Sequence, residues 1–209
     1  YGGTWKSQDE IDRNKVTKTY VNTGNVVGGA RYYDIDHNGV LDQQDLIYQG
    51  NADPYIYGGL QNNFYWKGLK LGVYFTYSLG GKIYNYSEFF MAGSTFTNQY
   101  RYMSNAWHPV RNPNSDIPRA GAKTDAALAS DFMIHDASYL RLKNMQLSYS
   151  IPPSVLKKAG VLQRVSVYVA GTNLLTFSDF KYLDPENPGI ANGYYPQQRT
   201  FSVGMNLTF

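Results

Sequence analysis

Arg199-Thr-Phe-Ser-Val-Gly-Met-Asn-Leu-Thr-Phe209 is the stretch of sequence that decides the fold. Its apolar side chains occupy every second position from Phe201 to Phe209, with small or polar residues between them. Successive side chains of a strand point to opposite faces, so this alternation predicts a β-strand with one apolar and one polar face. About 9–11 residues is also the length of a tilted strand that crosses a bilayer. The stretch therefore predicts a membrane-spanning strand, with a strand of a β-sandwich as the alternative.

The same stretch also fits the C-terminal signal that the assembly machinery of bacterial outer-membrane barrels reads as a strand edge. The positions that carry this pattern are polar Ser202, Gly204, and the apolar or aromatic Leu207 and Phe209. We therefore treat these residues as a candidate barrel-assembly signal.

The composition narrows the class of protein. The 209 residues include 20 Tyr, 10 Phe and 3 Trp, an enrichment expected where aromatic rings line strand ends at membrane interfaces. A Tyr-rich carbohydrate-binding module would look similar. No run of eighteen apolar residues occurs, so no helical membrane span is expected. The net charge of +3 is too small and scattered to indicate nucleic-acid binding, and the absence of cysteine excludes disulfide and thiol chemistry.

Several segments of the chain have strand-like patterns, and the connections between them differ greatly in length. The predicted strands are about 55–66, 69–79, 139–151, 164–174 and 199–209. Lys67-Gly68 predicts a tight hairpin turn between the first two strands. The link from Pro152 to Gln163 predicts a short helical turn.

The long connections decide between the two fold classes. Residues 1–54, 80–138 and 175–198 are too long for the loops of a typical compact soluble domain. Outer-membrane barrels instead alternate short periplasmic turns with long extracellular loops. The predicted strands are too few to close a membrane-spanning barrel, since the smallest have about eight. We therefore predict an all-β fold, a segment of a larger antiparallel transmembrane β-barrel whose long segments lie outside the cell. The alternative is that a partner chain completes the barrel.

One loop, residues 34–45, carries metal-binding chemistry. Asp34-Ile-Asp-His-Asn-Gly-Val-Leu-Asp-Gln-Gln-Asp45 matches the calcium-loop spacing, with glycine at position six and Asp in place of Glu at position twelve. Hard cations require several converging oxygen ligands, so the pattern predicts a structural Ca²⁺ site, with Mg²⁺ as a second possibility. A turn held only by side-chain capping is the alternative. The candidate ligands are Asp34, Asp36, Asn38, the carbonyl of Val40, Asp42 and Asp45.

No other pattern predicts catalysis. His37, His108 and His135 are isolated in the sequence, and neither a phosphate loop nor a nucleophile elbow occurs, so we predict that the chain is not an enzyme. Trp107, within the long loop, is the candidate for stacking on a ligand. The segment from Asp184 to Pro188 is expected to form a rigid turn with carboxylates that pair within the loop.

Motifs along nearly the whole chain resemble the closing portion of SusC/RagA-type TonB-dependent transporters. They are Trp5-Lys-Ser-Gln-Asp-Glu-Ile11, Ala30–Asp45, Gly58-Gly-Leu-Gln-Asn-Asn63, Ser78–Asn85, Tyr139-Leu-Arg-Leu-Lys-Asn144, Gly171-Thr-Asn-Leu-Leu175, Asp184-Pro-Glu186 and the terminal Phe209. The resemblance implies a full barrel of about 22 strands around a plug. It also implies a SusD-like surface lipoprotein as a lid, energy from TonB, and possible homodimers of transporter–lipoprotein pairs.

The predicted function follows from this resemblance. The chain is expected to be the C-terminal barrel portion of a Gram-negative outer-membrane importer of large nutrients, oligosaccharides first and peptides second. A soluble, secreted, calcium-stabilised β-sandwich that binds glycans is the main alternative. The wall of a passive porin is a third.

Overall fold

The computed structural model describes residues 1–14, 16–18, 25–92, 97–121, 130–157, 160–187, 189–191 and 193–209. In chain order the strands are β1 (Thr17–Lys18), β2 (Val40–Leu41), β3 (Ile56–Trp66), β4 (Leu69–Leu79), β5 (Lys82–Asn85), β6 (Ile134–Asp136), β7 (Tyr139–Ser150), β8 (Arg164–Ser178), β9 (Gly189–Ala191) and β10 (Thr200–Thr208). The α-helices are α1 (Gln8–Arg13), α2 (Ser87–Met91) and α3 (Pro153–Leu156), and 3₁₀ turns span Gln43–Asp45, Arg101–Asn105 and Asp131–Met133. Among these helices none is long and apolar enough to cross a membrane.

The chain divides into two compact units. Unit 1 consists of residues 1–51, 82–135 and 189–193, and unit 2 of residues 52–81, 136–188 and 194–209. The sequence predicts residues 1–54 and 80–138 as separate loop regions. In the structure, most residues of both regions belong to unit 1, because contacts between residues distant in sequence join the two regions. Trp5, Ile83, Trp107 and Met133 are all buried there.

The main sheet of unit 2 has five strands in the order β10-β8-β7-β4-β3, and every neighbouring pair is antiparallel. Strand β4 has the predicted bounds, and α3 lies where the short helical turn was predicted. The turn between β3 and β4 has positive φ at both Lys67 (44°) and Gly68 (88°). Such a pair of residues is typical of a type I′ hairpin turn, whose twist matches that of the strands.

Strand β8 extends beyond its predicted end at residue 174, to Ser178. The pairing of β7 with β8 shifts register between Leu142 and Asn144, and Asn173 has a φ of 51°. Asparagine tolerates this left-handed conformation, and a bulge inserts extra residues without ending the strand. At the bulge, polar Asn173 and apolar Leu174 interrupt the alternation in the sequence, although Leu175 and Phe177 return to the apolar face, which is why the strand was predicted to end early.

The register places the apolar side chains of the sheet on one face. Leu147, for example, lies between Leu71 of β4 and Val169 of β8, and Val203 of β10 follows in the same row. The exposed apolar side chains of this face are Ile56, Leu60, Phe64, Trp66, Leu79, Leu140, Leu147, Tyr149, Val167, Val169, Leu175, Phe177, Phe201, Val203, Met205 and Leu207. A soluble monomer rarely exposes so extensive an apolar surface. We call it the apolar face.

The opposite side of the sheet is polar. Gln61, Asn63, Lys70, Asn144, Gln146 and Ser148 line a shallow cavity of about 150 Å³ on it. Tyrosine rings on this side lie over glycines of the neighbouring strand. A Cβ on Gly204 would come within 2.4 Å of the Tyr168 ring, and one on Gly59 within 2.7 Å of the Tyr74 hydroxyl. The two faces therefore differ in the way that a barrel wall between lipid and an aqueous interior requires.

A charge on each face should distinguish the two environments. We expect Leu147→Arg in the full-length protein to reduce folding stability in lipid by up to about 2–4 kcal/mol, because Arg on the lipid face costs this much at the bilayer midplane and less towards the interfaces. Urea unfolding in lipid vesicles measures this loss of stability, with the folded fraction monitored by its mobility on a gel.

Gln146→Arg is the matched control, because Gln146 is the adjacent residue, is also exposed, and faces the polar side. We expect it to change stability by much less. Equal losses for the two variants would show that the apolar face does not contact lipid.

Candidate functional site

The loop from Asp34 to Asp45 is organised by hydrogen bonds to its own carboxylates. Asp34 Oδ2 accepts a hydrogen bond from the Gly39 amide (2.8 Å), and its Oδ1 accepts one from the Asn38 amide (3.2 Å). The Asn38 amide also donates to Asp36 Oδ1 at 3.1 Å. Gly39 has a φ of 83°, and no atom of the described part of the chain lies within 4 Å of the place a Cβ would occupy. Backbone conformation rather than space therefore favours glycine at this position.

The end of the loop is folded back onto its beginning by Asp45. Its Oδ1 accepts a hydrogen bond from the Ile35 amide (2.6 Å), and its Oδ2 accepts one from the Asp42 amide (2.8 Å). Asp42 in turn accepts from the Gln44 amide at 2.7 Å, completing a capping box on the 3₁₀ turn Gln43–Asp45. The carboxylate at position twelve thus closes the loop, although it is the shorter Asp.

The fold brings together three of the predicted ligands. Carboxylate oxygens of Asp34, Asp36 and Asp45 all lie within 4.8 Å of one another. Asp42 lies outside this group, which fits position nine, where a calcium loop often coordinates through water. The Asn38 side chain is engaged within the loop, since its Oδ1 accepts from the Val40 amide at 2.7 Å. A set of hard oxygen donors of this kind suits Ca²⁺ or Mg²⁺.

The ionisation of Asp34 is consistent with such a site. Desolvation raises its pKa, but the hydrogen bonds that it accepts from the backbone amides of Gly39 and Asn38 outweigh this effect, and the net pKa is lowered. A lowered pKa keeps the carboxylate charged at neutral pH. The stability that these hydrogen bonds contribute is present above the ordinary pKa of Asp and is lost as the pH falls through the lowered value.

A second polar arrangement lies on the polar face of unit 2, centred on Arg141. The Arg141 guanidinium, only 3% exposed, donates to Asp184 Oδ1 (2.6 Å), Glu186 Oε2 (2.6 Å) and Thr176 Oγ1 (3.0 Å). Lys143 Nζ donates to both oxygens of Glu186, at 2.8 and 2.9 Å. We call Arg141, Lys143, Asp184 and Glu186 the charge network. It binds the turn 184–187 to strand β7.

The charge network corrects one expectation. The carboxylates of this turn pair with cations on β7, whereas pairing within the loop was expected; Pro188 lies outside the described residues. The sequence held a signal that we did not use. Arg141 and Lys143 stand in a strand whose other face is apolar, and charged residues in such a strand need a partner when they are buried.

The structure also gives His135 a partner. Its Nε2 lies 2.7 Å from Glu88 Oε2, and Tyr102 donates its hydroxyl proton to Glu88 Oε1 at 3.0 Å. Glu88 is 1% exposed. Although His135 is isolated in the sequence, the fold of unit 1 brings it to Glu88, 47 residues away. A buried carboxylate needs such partners.

Trp107 is 9% exposed in unit 1. Its ring lies so close to Gly28 that a Cβ there would come within 2.2 Å, and its amide donates to the carbonyl of Ile117 at 2.8 Å. This burial favours a packing role, and the ligand contact of Trp107 stays a prediction. Ser202, Gly204 and Leu207 lie in β10 at the edge of the sheet, with Phe209 just beyond it. Their role in barrel assembly also stays a prediction.

Comparison with known proteins identifies relatives along the length of the chain. TonB-dependent receptor P26 of Formosa agariphila is 35% identical over 223 residues, which cover 99% of this chain and 22% of that receptor. TonB-dependent receptor SusC of Bacteroides thetaiotaomicron is 29% identical over 184 residues, covering 85% of this chain and 17% of SusC. The chain thus spans about a fifth of the length of these relatives. No family model matches it.

A solved structure agrees with the sequence comparison. The chain superimposes on the RagAB peptide transporter with a TM-score of 0.69 and 28% identity, over 81% of this chain and 19% of that one. The sheet is open in this chain because it is a fragment of a larger barrel wall. The chain therefore belongs to the SusC/RagA-type TonB-dependent transporters of the Gram-negative outer membrane and corresponds to the C-terminal part of their barrel.

Proposed function

We propose that the full protein imports large nutrients across the outer membrane, oligosaccharides first and peptides second. The observation that carries this proposal is the near end-to-end match to TonB-dependent receptor P26, at 35% identity over 99% of the chain. The opposed apolar and polar faces of the five-stranded sheet support it, because they suit a wall between lipid and a water-filled interior. The relatives do not favour the soluble β-sandwich alternative, and no catalytic role is proposed.

The proposed mechanism requires partners outside this chain. The rest of the barrel and its plug would complete the transporter, a SusD-like lipoprotein would cover its outer mouth, and the TonB complex would supply energy. Two transporter–lipoprotein pairs would form a homodimer. This chain would supply part of the wall, the outer loops, and the assembly signal at Ser202, Gly204, Leu207 and Phe209.

Import can be tested with the full-length transporter in cells with and without TonB. Uptake of fluorescent oligosaccharides and of fluorescent peptides is measured in both strains. We expect uptake of the cargo to require TonB, because the plug closes the barrel until it is pulled. Uptake that persists without TonB would instead indicate a passive pore.

We also propose that the loop 34–45 binds a structural Ca²⁺, with Mg²⁺ as the weaker alternative. The close carboxylates of Asp34, Asp36 and Asp45 support it, as do the hydrogen bonds from backbone amides that orient Asp34 and Asp45. Asn38, the carbonyl of Val40 and Asp42, directly or through water, would complete the ligands. The ion would fix a surface loop and would take no part in chemistry.

The Ca²⁺ proposal predicts opposite effects for two substitutions of Asp45. In the full-length transporter, Asp45→Asn should weaken Ca²⁺ binding by at least about tenfold, because affinity in such loops depends on ligand charge. Asp45→Glu should strengthen it by allowing bidentate coordination. Calorimetric titration with Ca²⁺ measures both changes.

The control is Asp9→Asn, which removes an exposed carboxylate on α1, away from the loop in sequence. It should leave Ca²⁺ affinity unchanged. If all three variants bind Ca²⁺ like the wild type, or if the wild type does not bind it, the loop is held by side-chain capping alone.

A further inference from the structure

We propose that a cavity on the polar face of unit 2 binds a neutral sugar ring of the imported substrate. The cavity has a volume of about 470 Å³ and is lined by Tyr57, Tyr74, Thr76, Ser78, Tyr139 and Glu186, among others. The inference rests on the proposed import function and assigns part of substrate recognition to this chain. It does not depend on the cation loop.

The pairing of the strands builds the floor of this cavity. Tyr57 of β3 pairs with Ser78 of β4, and Ser78 pairs with Tyr139 of β7, so the three side chains form a row across the sheet. Neighbouring strands lie about 4.8 Å apart, which puts about 10 Å between the backbones that carry the two rings. The small serine leaves a gap between the rings and offers a hydroxyl in it. Tyr57 is 77% exposed, so its ring is accessible in unit 2.

The charge network holds one wall of the cavity in place. Pro185 and Glu186 line the cavity, and both Asp184 and Glu186 are tied to Arg141 of β7. Asp184 Oδ1 also accepts a hydrogen bond from the Glu186 amide at 2.9 Å, which fixes the turn between the two carboxylates. A wall fixed in this way loses little conformational entropy when a ligand binds.

The charges select the class of ligand. Among the described residues that line the cavity, Glu186 is the single ionisable acid or base apart from the tyrosines, and Lys143 and Arg141 both donate to it. Its charge is therefore compensated before any ligand arrives, so a cationic ligand would find no unpaired anion. An anionic ligand would meet a carboxylate. A neutral sugar ring, with apolar C–H faces and a rim of hydroxyls, matches tyrosine rings, hydroxyl groups and carboxylate lone pairs.

The test uses the full-length transporter and measures binding of a panel of neutral oligosaccharides and of trilysine. We expect the wild type to bind a neutral oligosaccharide and not trilysine. Tyr57→Ala should weaken oligosaccharide binding by about tenfold, equivalent to about 1.4 kcal/mol. Tyr57→Phe, which keeps the ring, should retain most of it. The control is Tyr65→Ala, which removes an exposed ring from the same face of the same strand, outside the cavity.

A second variant tests the role of charge. Lys143→Met removes one of the cations that compensate Glu186, so trilysine binding should appear while oligosaccharide binding persists. Lys143 is 33% exposed at its side chain and is less central to the fold than Arg141.

The outcomes separate this inference from the import function. A transporter that shows TonB-dependent uptake but binds only peptides, or one in which Tyr57→Ala and Tyr65→Ala behave alike, overturns the sugar site and leaves import standing. Uptake without TonB would overturn the import function itself, whatever the cavity binds.

Discussion

Backbone hydrogen bonding between the antiparallel strands of unit 2 is the interaction on which the rest of the structure depends. It fixes which residues lie opposite one another, and a slip of one residue in any strand would exchange the two faces of that strand. The observed register gathers Leu71, Leu147, Val169 and Val203 into one row on the apolar face. In a membrane the same hydrogen bonds satisfy backbone groups that lipid cannot. They therefore both stabilise the sheet and allow it to lie in lipid.

Charge compensation is the second constraint, and it shapes the parts of the chain beyond the sheet. Glu88 is paired with His135 and Tyr102 in unit 1, and the carboxylates of Asp184 and Glu186 are paired with strand β7 in unit 2. A buried charge without a partner costs several kcal/mol, so each pairing restricts where its loop can lie. In the loop 34–45, backbone amides turn the carboxylates towards one another, the arrangement that the proposed cation would complete.

The parts that sequence reasoning predicted correctly are those set by local rules. The alternation over 69–79, the Lys67-Gly68 turn and the helical turn after Pro152 each depend on neighbouring residues alone. Sequence reasoning ended β8 too early, because the alternation of apolar and polar residues is interrupted at the bulge near Asn173, although the strand continues to Ser178. It also missed the partners of Arg141 and His135, since no local pattern records which distant side chain will neutralise a charge.

The sequence by itself determined that the chain is a set of amphipathic strands with long loops and a calcium-type loop, because periodicity, turn residues and ligand spacing are properties of short segments. Only the tertiary structure decided which strands pair, how residues 1–51 join 82–135 in one unit, and which side chains line the polar face. The row Tyr57-Ser78-Tyr139 and the turn held by Arg141 belong to this second class. Their residues come together through strand register and charge pairing, which act between segments distant in the chain.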